Sequence, residues 1–292
     1  MADSRDLRPF GLALYSKAAQ ASTNQVIETY STSFGWATKL LSKSVRQDVR
    51  NIYGLVRVAD EIVDGAANKD VAEKLLDELE AETYRAIEIG FSANLVVHAF
   101  ALSAVKCSIE REIIEPFFYS MRADLTQREH DQASFDRYVY GSAEVVGLMC
   151  LRAFLTDSTA VYSAEDERRL VAGARALGAA FQKVNFLRDL AADFKQLGRS
   201  YFPDVNVSTF NESEKARLVA DINADLAMSA ATLPMLPKNS RKAVAAAQMF
   251  FAALNERIRN TPADKLIESR ISVPNAQKIV ILAKAMLGIM PK

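Results

Sequence analysis

The chain contains 292 residues, half of them hydrophobic, with only 11 Gly and 8 Pro. A chain of this length can bury a large core, and this composition favours helices over short strands joined by turns. Its 36 basic and 36 acidic residues cancel, which excludes a bulk attraction to nucleic acid. No Pro/Gly/Ser-rich linker divides the sequence, so we expect one all-helical domain over residues 1–292.

Several common functional motifs are missing from the sequence. It has no G-x-x-x-x-G-K-[ST] loop and no G-x-G-x-x-G turn for nucleotide phosphates. Cys107 and Cys150 are too far apart for a C-x-x-C pair, and we interpret them as free thiols. Residues 1–10 are charged, unlike a secretion signal, and no apolar run reaches the roughly 18 residues that a membrane span needs. We therefore expect a cytoplasmic protein, with peripheral contact to a membrane left open.

Hydrophobic periodicity predicts eleven helices and almost no strands. The last helix, within "ISVPNAQKIVILAKAMLGIMPK", is apolar with lysines around it. We interpret it as a helix that packs in the core rather than one that lies on a membrane, although a membrane-surface helix would suit a hydrophobic substrate. The predicted helices cover approximately residues 8–21, 24–41, 46–65, 69–90, 92–107, 110–126, 134–155, 164–196, 212–231, 239–260 and 274–289.

A polar stripe runs along the third predicted helix, in "RNIYGLVRVADEIVDGAA". Tyr53, Arg57, Asp60 and Asp64 follow one another at intervals of three or four residues, which places them on one helical face. The other positions of this helix are largely apolar and predict core contacts. A polar stripe bordered by so much hydrophobic surface is either solvated or holds something charged.

A second polar stripe runs along the eighth predicted helix, in "LGAAFQKVNFLRDLAADFKQLGRSYFP". Its opposite positions are apolar, and Gly198 and Pro203 provide stop signals. Arg188 lies within one turn of the acidic residues, as Arg57 does in the first stripe. The residues of this second stripe are Gly178, Gln182, Asn185, Asp189 and Asp193.

Two facing stripes would bring four carboxylates together, and their repulsion in a poorly solvated site costs several kcal/mol. A divalent cation removes this conflict. Mg²⁺ prefers oxygen ligands and typically bridges one or two carboxylates to a substrate phosphate, with Mn²⁺ as the alternative ion. A third D-x-x-x-D pair, Asp221 and Asp225, lies among residues typical of a solvated helix face and serves as a negative control. Long apolar helices with two polar stripes that must meet predict a bundle around a central cavity.

The second stripe resembles the second signature of the squalene/phytoene synthase family, which ends in R-x-[FY]-x-P. The matching residues include Arg188, Arg199, Tyr201 and Pro203 in addition to the stripe itself. "RVADEIVD" resembles the family's first aspartate-rich motif, and "YSTSF" (residues 30–34) resembles its N-terminal serine-phenylalanine segment. The likeness covers roughly residues 25–260, nearly the whole chain. It implies the all-helical isoprenoid-synthase fold.

The resemblance also implies roles for individual residues. Metal ligands would be Asp60, Asp64, Asn185, Asp189 and Asp193, and Mg²⁺ would assist the departure of diphosphate. The catalytic set would add Tyr53, Tyr138, Arg57 and Arg188, with the two tyrosines stabilising cations or relaying a proton. The substrate-binding set would be Ser31, Ser33, Phe34, Arg57, Gln182, Asn185, Arg188, Arg199 and Tyr201.

A third segment, "FDRYVYGSAEVVGLMC", resembles the family's first signature. Tyr138, Ala143 and Gly147 match it, whereas Glu144 stands where a small residue is expected. Because a buried carboxylate is costly unless it is paired, Glu144 must meet a cation or face solvent. Phe251 stands where relatives often have a tyrosine.

The implied reaction is head-to-head condensation of two prenyl diphosphates through a cyclopropyl diphosphate. "DEIVDG" and "GRSYFP" look most like bacterial phytoene synthases, so we expect phytoene from two geranylgeranyl diphosphates without NADPH. Squalene or dehydrosqualene synthesis from two farnesyl diphosphates is the nearer alternative. A non-catalytic scaffold, a terpene cyclase and a plain bundle with solvated acidic faces are more distant ones. Prenyl diphosphates are the expected partners, no nucleic acid is expected, and contact with other enzymes of carotenoid biosynthesis stays open.

Overall fold

A computed structural model describes residues 11–192 and 199–291, apart from the side chains of residues 32, 33 and 192. Within these ranges the chain forms helices and turns, with one isolated bridge between Glu129 and Ser200 and no strand. The α-helices are α1 (Leu12–Tyr30), α2 (Thr32–Thr38), α3 (Lys43–Val63), α4 (Lys69–Ile89), α5 (Leu95–Cys107), α6 (Arg111–Thr126), α7 (Gln132–Val139), α8 (Val145–Thr156), α9 (Ala164–Ala192), α10 (Glu212–Thr232), α11 (Arg241–Arg259), α12 (Ala263–Leu266) and α13 (Asn275–Met286).

The break between the first two helices lies at Ser31, eight residues later than the sequence predicts. The polar run near Thr23 does not end α1, because the Thr23 hydroxyl donates to the Gln20 carbonyl and to Asn51 Oδ1 of α3, 2.8 Å away. Ser31 instead adopts an extended backbone and accepts a hydrogen bond from the Phe34 amide, as an N-cap residue does. Ser31 and Phe34 therefore begin α2 rather than lying inside a longer helix.

The predicted helix 134–155 is divided by a π-helical segment, Tyr140–Glu144, which joins α7 to α8. Such segments insert an extra residue into a helix and are frequent at functional sites. The carbonyl of Tyr138 accepts a hydrogen bond from the Ser120 hydroxyl of α6, which supports the altered register. Periodicity could not reveal this segment, because the bonds that favour it come from another helix.

Small residues let α8 and the π segment approach α9 closely. A Cβ added at Gly178 would lie 2.5 Å from the carbonyl oxygen of Ala143, and one added at Gly147 would lie 2.5 Å from that of Ala174. Both distances are far below van der Waals contact, so only glycine fits these two positions. The close approach brings the second stripe, on α9, beside the segment that carries Tyr138.

Gln132–Thr156 is the stretch of the described chain that is long and apolar enough to cross a membrane by length and composition. Its apolar residues Val139, Val145 and Met149 are buried in the core, and the helices that carry them pack against α6 and α9. A core helix passes the same test, and the packing of this one accounts for its apolar character.

Candidate active site

A cavity of about 600 Å³ lies between α2, α3, α8, α9 and α11. One part of its lining is polar and includes both predicted stripes. The other part consists of residues that share one apolar core cluster. The polar lining includes Arg57, Asp60, Asp64, Gln182, Asn185, Arg188, Asp189 and Arg199, and the apolar lining includes Leu41, Val49, Leu151, Phe154, Leu170, Leu233 and Leu236.

The α3 stripe faces this cavity. Asp60 opens onto the cavity but is remote from bulk water, and this burial, with repulsion by Asp64, raises the pKa of Asp60 to about 8. Asp64 accepts a hydrogen bond from Arg199 Nη1 at 2.8 Å. Arg57 pairs with Glu61 and lies 4.4 Å above the ring of Tyr30. The stripe thus combines one carboxylate that resists ionisation with one that is already paired.

The α9 stripe lines the same cavity as far as the structure describes it. Asp189 pairs with Arg188 and accepts a hydrogen bond from Arg270 Nε at 2.7 Å. Gln182 and Asn185 also line the cavity. Arg270 lies in the loop before α13 and has no sequence signal that distinguishes it from other surface arginines. Asp193, a predicted ligand, lies outside the described residues.

Asp124 of α6 is the functional candidate that sequence reasoning missed. Its side chain is 4% exposed and accepts hydrogen bonds from the hydroxyls of Tyr138, at 2.7 Å, and Tyr201, at 3.2 Å. Arg199 donates to the Asp124 carbonyl oxygen at 2.9 Å and to the Val63 carbonyl oxygen at 3.1 Å. Burial raises the pKa of Asp124 to about 6, although Arg199 and Tyr138 act in the opposite direction.

Asp124 thereby links Tyr138, Tyr201 and Arg199, three residues to which the family resemblance gives functional roles. Arg199 in turn bonds to Val63 at the end of α3. The pKa of Arg199 is raised, because its acidic and phenolic neighbours outweigh the effect of burial. The pKa of Tyr138 is also raised, chiefly by burial and then by Asp124. A single aspartate in an amphipathic helix that carries other charged residues gives no pattern in the sequence, so only its spatial neighbours identify it.

The N-terminal segment supplies an aromatic wall. Phe34 stacks on Tyr53 with a centroid distance of 5.7 Å, and both rings line the cavity together with Ser31. Burial raises the pKa of Tyr53, so its hydroxyl keeps its proton at neutral pH. The side chain of Ser33 lies outside the described residues. Phe251 lines the opposite wall and stacks on Phe181 at 3.7 Å.

The polar lining fits a hard cation and a phosphate-like anion. Within the described chain, Asn185 Oδ1 is a buried oxygen without a hydrogen-bond partner, and the same is true of the Nε donors of Arg57 and Arg199. Carboxylate and amide oxygens are ligands that Mg²⁺ prefers. No three His, Cys, Asp or Glu side chains among the described residues form a group that could hold an ion alone.

The structure also shows the surroundings of Glu144 and of the control pair, Asp221 and Asp225. Glu144 meets a cation, because its Oε2 accepts a hydrogen bond from Arg175 Nε at 2.6 Å. The control pair on α10 is held by Lys183, whose Nζ lies 2.6 Å from Asp221 and 2.8 Å from Asp225. Neither of these aspartates lines the cavity. The three D-x-x-x-D pairs thus do not share one environment.

A family model described as squalene/phytoene synthase matches residues 27–277 of the chain. The chain belongs to this family. Members of the squalene/phytoene synthase family are prenyltransferase-type enzymes, and the family resemblance predicted from the sequence is confirmed. The match includes both acidic stripes and the segment that carries Tyr138.

The sequence identity of this chain to individual family members is low. The chain is 26% identical over 195 residues to a 4,4'-diapophytoene synthase of Staphylococcus haemolyticus, covering 65% of this chain and 64% of that protein. It is 28% identical over 204 residues to a phytoene synthase of Arthrospira platensis, covering 65% and 62%. The chain thus matches slightly less than two thirds of the length of each of these relatives. The family acts in carotenoid and isoprenoid biosynthesis.

Solved structures confirm the predicted isoprenoid-synthase fold. A dehydrosqualene synthase crystallised with a ligand superimposes with a TM-score of 0.74 at 20% identity, covering 94% of this chain and 97% of that one. A squalene synthase from Alicyclobacillus acidocaldarius gives 0.71 at 18% identity, covering 84% and 94%. Sequence identity at this level shows the fold alone.

Proposed function

We propose that this chain condenses two geranylgeranyl diphosphates head to head, through a cyclopropyl diphosphate, to phytoene. The observation that carries this proposal is the division of one cavity into a polar part with two acidic stripes and an apolar part. A prenyl diphosphate has the same division, with a charged head and a hydrocarbon tail. A terpene cyclase would also need a cation, but the arginines of the second signature favour binding of two diphosphates.

The polar part would bind the diphosphates. Arg57, Arg188 and Arg199 offer guanidinium donors, and the buried Nε atoms of Arg57 and Arg199 have no partner among the described residues. Each of these arginines is held in the structure by a carboxylate, namely Glu61, Asp189 and Asp64 respectively. An arriving diphosphate can take over these donors and leave the carboxylates free to accept a cation.

Magnesium would be held by Asp60, Asp64, Asn185, Asp189 and Asp193, and when bound it would neutralise the charge that develops on a departing diphosphate. The arginines supply the same kind of stabilisation from fixed positions in a poorly solvated site. The carbon–oxygen bond of one substrate breaks, diphosphate leaves with the electron pair, and the resulting allylic cation is attacked by a double bond of the second substrate. Loss of a proton then closes the cyclopropane ring.

The aromatic and apolar walls would protect the cationic centres from water. Phe34 and Tyr53 stack at the cavity with their ring centroids 5.7 Å apart, and aromatic rings at this position can stabilise positive charge. Tyr138 keeps its proton, since its pKa is raised, and it is oriented by Asp124. A second ionisation followed by rearrangement and loss of a proton gives phytoene, whereas squalene would require hydride from NADPH.

Condensation of two farnesyl diphosphates to squalene or dehydrosqualene is the second candidate. It is favoured by the relative named 4,4'-diapophytoene synthase. The two candidates share the polar part of the cavity and differ in the length of hydrocarbon that the apolar part accepts.

The test offers purified protein both substrates in the presence of Mg²⁺, with and without NADPH, and identifies the extracted products by chromatography. We expect phytoene from geranylgeranyl diphosphate, independent of NADPH, and a kcat/KM at least about tenfold higher than that for farnesyl diphosphate. Preferential formation of a thirty-carbon product would replace the first candidate by the second. A folded protein that releases no diphosphate from either substrate would contradict both and favour a scaffold role.

A further inference from the structure

The outer face of α13 is apolar and exposed. Only Ile281 and Ala285 of this helix are buried, and they pack against α2 and α11. At 3.6 residues per turn, Ile279, Ala283 and Met286 lie on the opposite face. Large apolar residues at this end of the chain are strongly exposed: Ile279 58%, Val280 52%, Met286 59%, Leu287 81% and Ile289 48%.

The segments around this face carry positive charge only. Residues 31–47, 233–255 and 269–292 contain ten Lys or Arg and no Asp or Glu, whereas the rest of the chain has 26 basic and 36 acidic residues. We call these three segments the basic end. They are joined in space, since Ser42 N donates to the Asn239 carbonyl oxygen and Lys242 Nζ donates to that of Met286, 2.7 Å away.

Lysines border the apolar face of α13 directly. Lys278 and Lys284 lie on its two flanks by helical periodicity, and Lys39, Lys242 and Lys284 are exposed. Among the described residues, three carboxylates beside the basic end are paired with cations: Asp189 bonds to Arg188 and Arg270, and Asp48 and Asp157 share Lys106. The net charge of zero therefore hides a strong separation of charge within the molecule.

We propose that the basic end binds the surface of an anionic membrane, with the outer face of α13 inserted at the level of the lipid headgroups. An apolar helical stripe bordered by lysines is the pattern of an interfacial helix. Each basic residue near an anionic surface contributes about a fivefold increase in binding. An apolar face without the basic end would fit a second copy of the chain equally well, but the uniform positive charge opposes self-association.

The proposed membrane-binding surface lies close to the cavity. The buried residues of α13 share a core cluster with Ala37, Ala247 and Phe181, which line the cavity. Under the proposed function, on which this point alone rests, a water-insoluble product would form about one helix away from the lipid.

The test is sedimentation of the purified full chain, without substrate, with vesicles of pure phosphatidylcholine and with vesicles containing about a quarter phosphatidylglycerol. We expect binding to the anionic vesicles only, and its loss between about 0.05 M and 0.5 M salt, where charges are screened. No binding to either vesicle would overturn the proposal, as would equal binding to both.

Two pairs of matched variants locate the surface. Leu287→Glu should weaken vesicle binding at least tenfold, while Val161→Glu, at a residue that is 97% exposed elsewhere, should not. Lys39→Gln with Lys284→Gln should weaken it by more than tenfold, while Lys17→Gln with Lys69→Gln should have little effect. Equal behaviour within either pair would contradict the assignment, and so would a dimer by light scattering that Leu287→Glu converts to a monomer.

Discussion

Asp60 and Asp64 have the same spacing as Asp221 and Asp225, but the two pairs lie in different surroundings. The first pair lines a cavity whose poorly solvated interior raises the pKa of Asp60 to about 8. Both members of the second pair bond to Lys183, and Asp221 is half exposed. Ionising both members of the first pair therefore costs free energy that a bound cation can offset, whereas both members of the second pair already bond to a lysine. The spacing of carboxylates indicates a shared helical face, and their neighbours decide whether that face is a site.

The largest expected effect comes from removing the charge of the cavity pair. Asp60→Asn combined with Asp64→Asn should lower kcat/KM for diphosphate release by about a thousandfold or more, since charge stabilisation of the leaving group is lost. The rate is measured by steady-state assay of released diphosphate.

The matched control is Asp221→Asn combined with Asp225→Asn. It should leave activity within about threefold of the original but lower the free energy of unfolding by about 1–3 kcal/mol, because the mostly buried Lys183 loses its partners. Equal loss of activity in both double variants would show that the pairs do not differ as the structure indicates.

Asp124→Ala is expected to have the next largest effect. It removes the acceptor of Tyr138 and Tyr201 and the buried countercharge of Arg199, so unfolding should become easier by about 3 kcal/mol in urea denaturation. Asp124→Asn keeps an acceptor oxygen and should cost about 1 kcal/mol. If the alanine variant were as stable as the original, the network around Arg199 would not be structural.

Replacing a glycine at a close contact between helices should have a smaller effect on stability. Gly178→Ala should lower the free energy of unfolding by about 1–3 kcal/mol, because the new Cβ would lie 2.5 Å from the Ala143 carbonyl oxygen. The same change at Gly35, where the nearest atom is 3.8 Å away, should be neutral or slightly stabilising in a helix. Thermal unfolding of the two variants compares them, and equal melting temperatures would contradict the close packing of α9 on the π segment.

The effect that is smallest over a single pH unit is a pH dependence of stability. The folded protein keeps a proton on Asp60 up to about pH 8, whereas the unfolded chain loses it near the ordinary value of 3.8. The free energy of unfolding should therefore fall as pH rises between these values, by about 1 kcal/mol per unit between pH 6 and 7. Asp60→Asn should remove this contribution and Asp221→Asn should keep it. The free energy of unfolding of both variants is measured by urea denaturation at several pH values without divalent cations. If it changed with pH equally in both variants, the raised pKa of Asp60 would be contradicted.

The sequence was sufficient for the family and for most of the helices, since these depend on periodicity and ordered motifs, and the described residues of the two acidic stripes line one cavity. It missed features that depend on contacts between distant residues. The π segment is supported by Ser120 of another helix, Asp124 is identified only by Tyr138, Tyr201 and Arg199 around it, and Thr23 continues α1 because Asn51 of α3 satisfies its hydroxyl. The end of α1 was mispredicted for this last reason.

The sequence also left the last helix ambiguous. Its apolar periodicity predicted core packing, and Ile281 and Ala285 do pack in the core. The exposed outer face follows from the position of α13 at the edge of the bundle, which periodicity does not give.

The stoichiometry of diphosphate release tests the central claim most directly. Purified protein is incubated with geranylgeranyl diphosphate and Mg²⁺, and the diphosphate released is compared with the hydrocarbon formed. Our account predicts two diphosphates for each forty-carbon product, because both substrates are ionised in the same cavity. One diphosphate for each twenty-carbon product, as in cyclisation of a single substrate, would contradict it, and so would release that persists unchanged in the Asp60→Asn, Asp64→Asn variant.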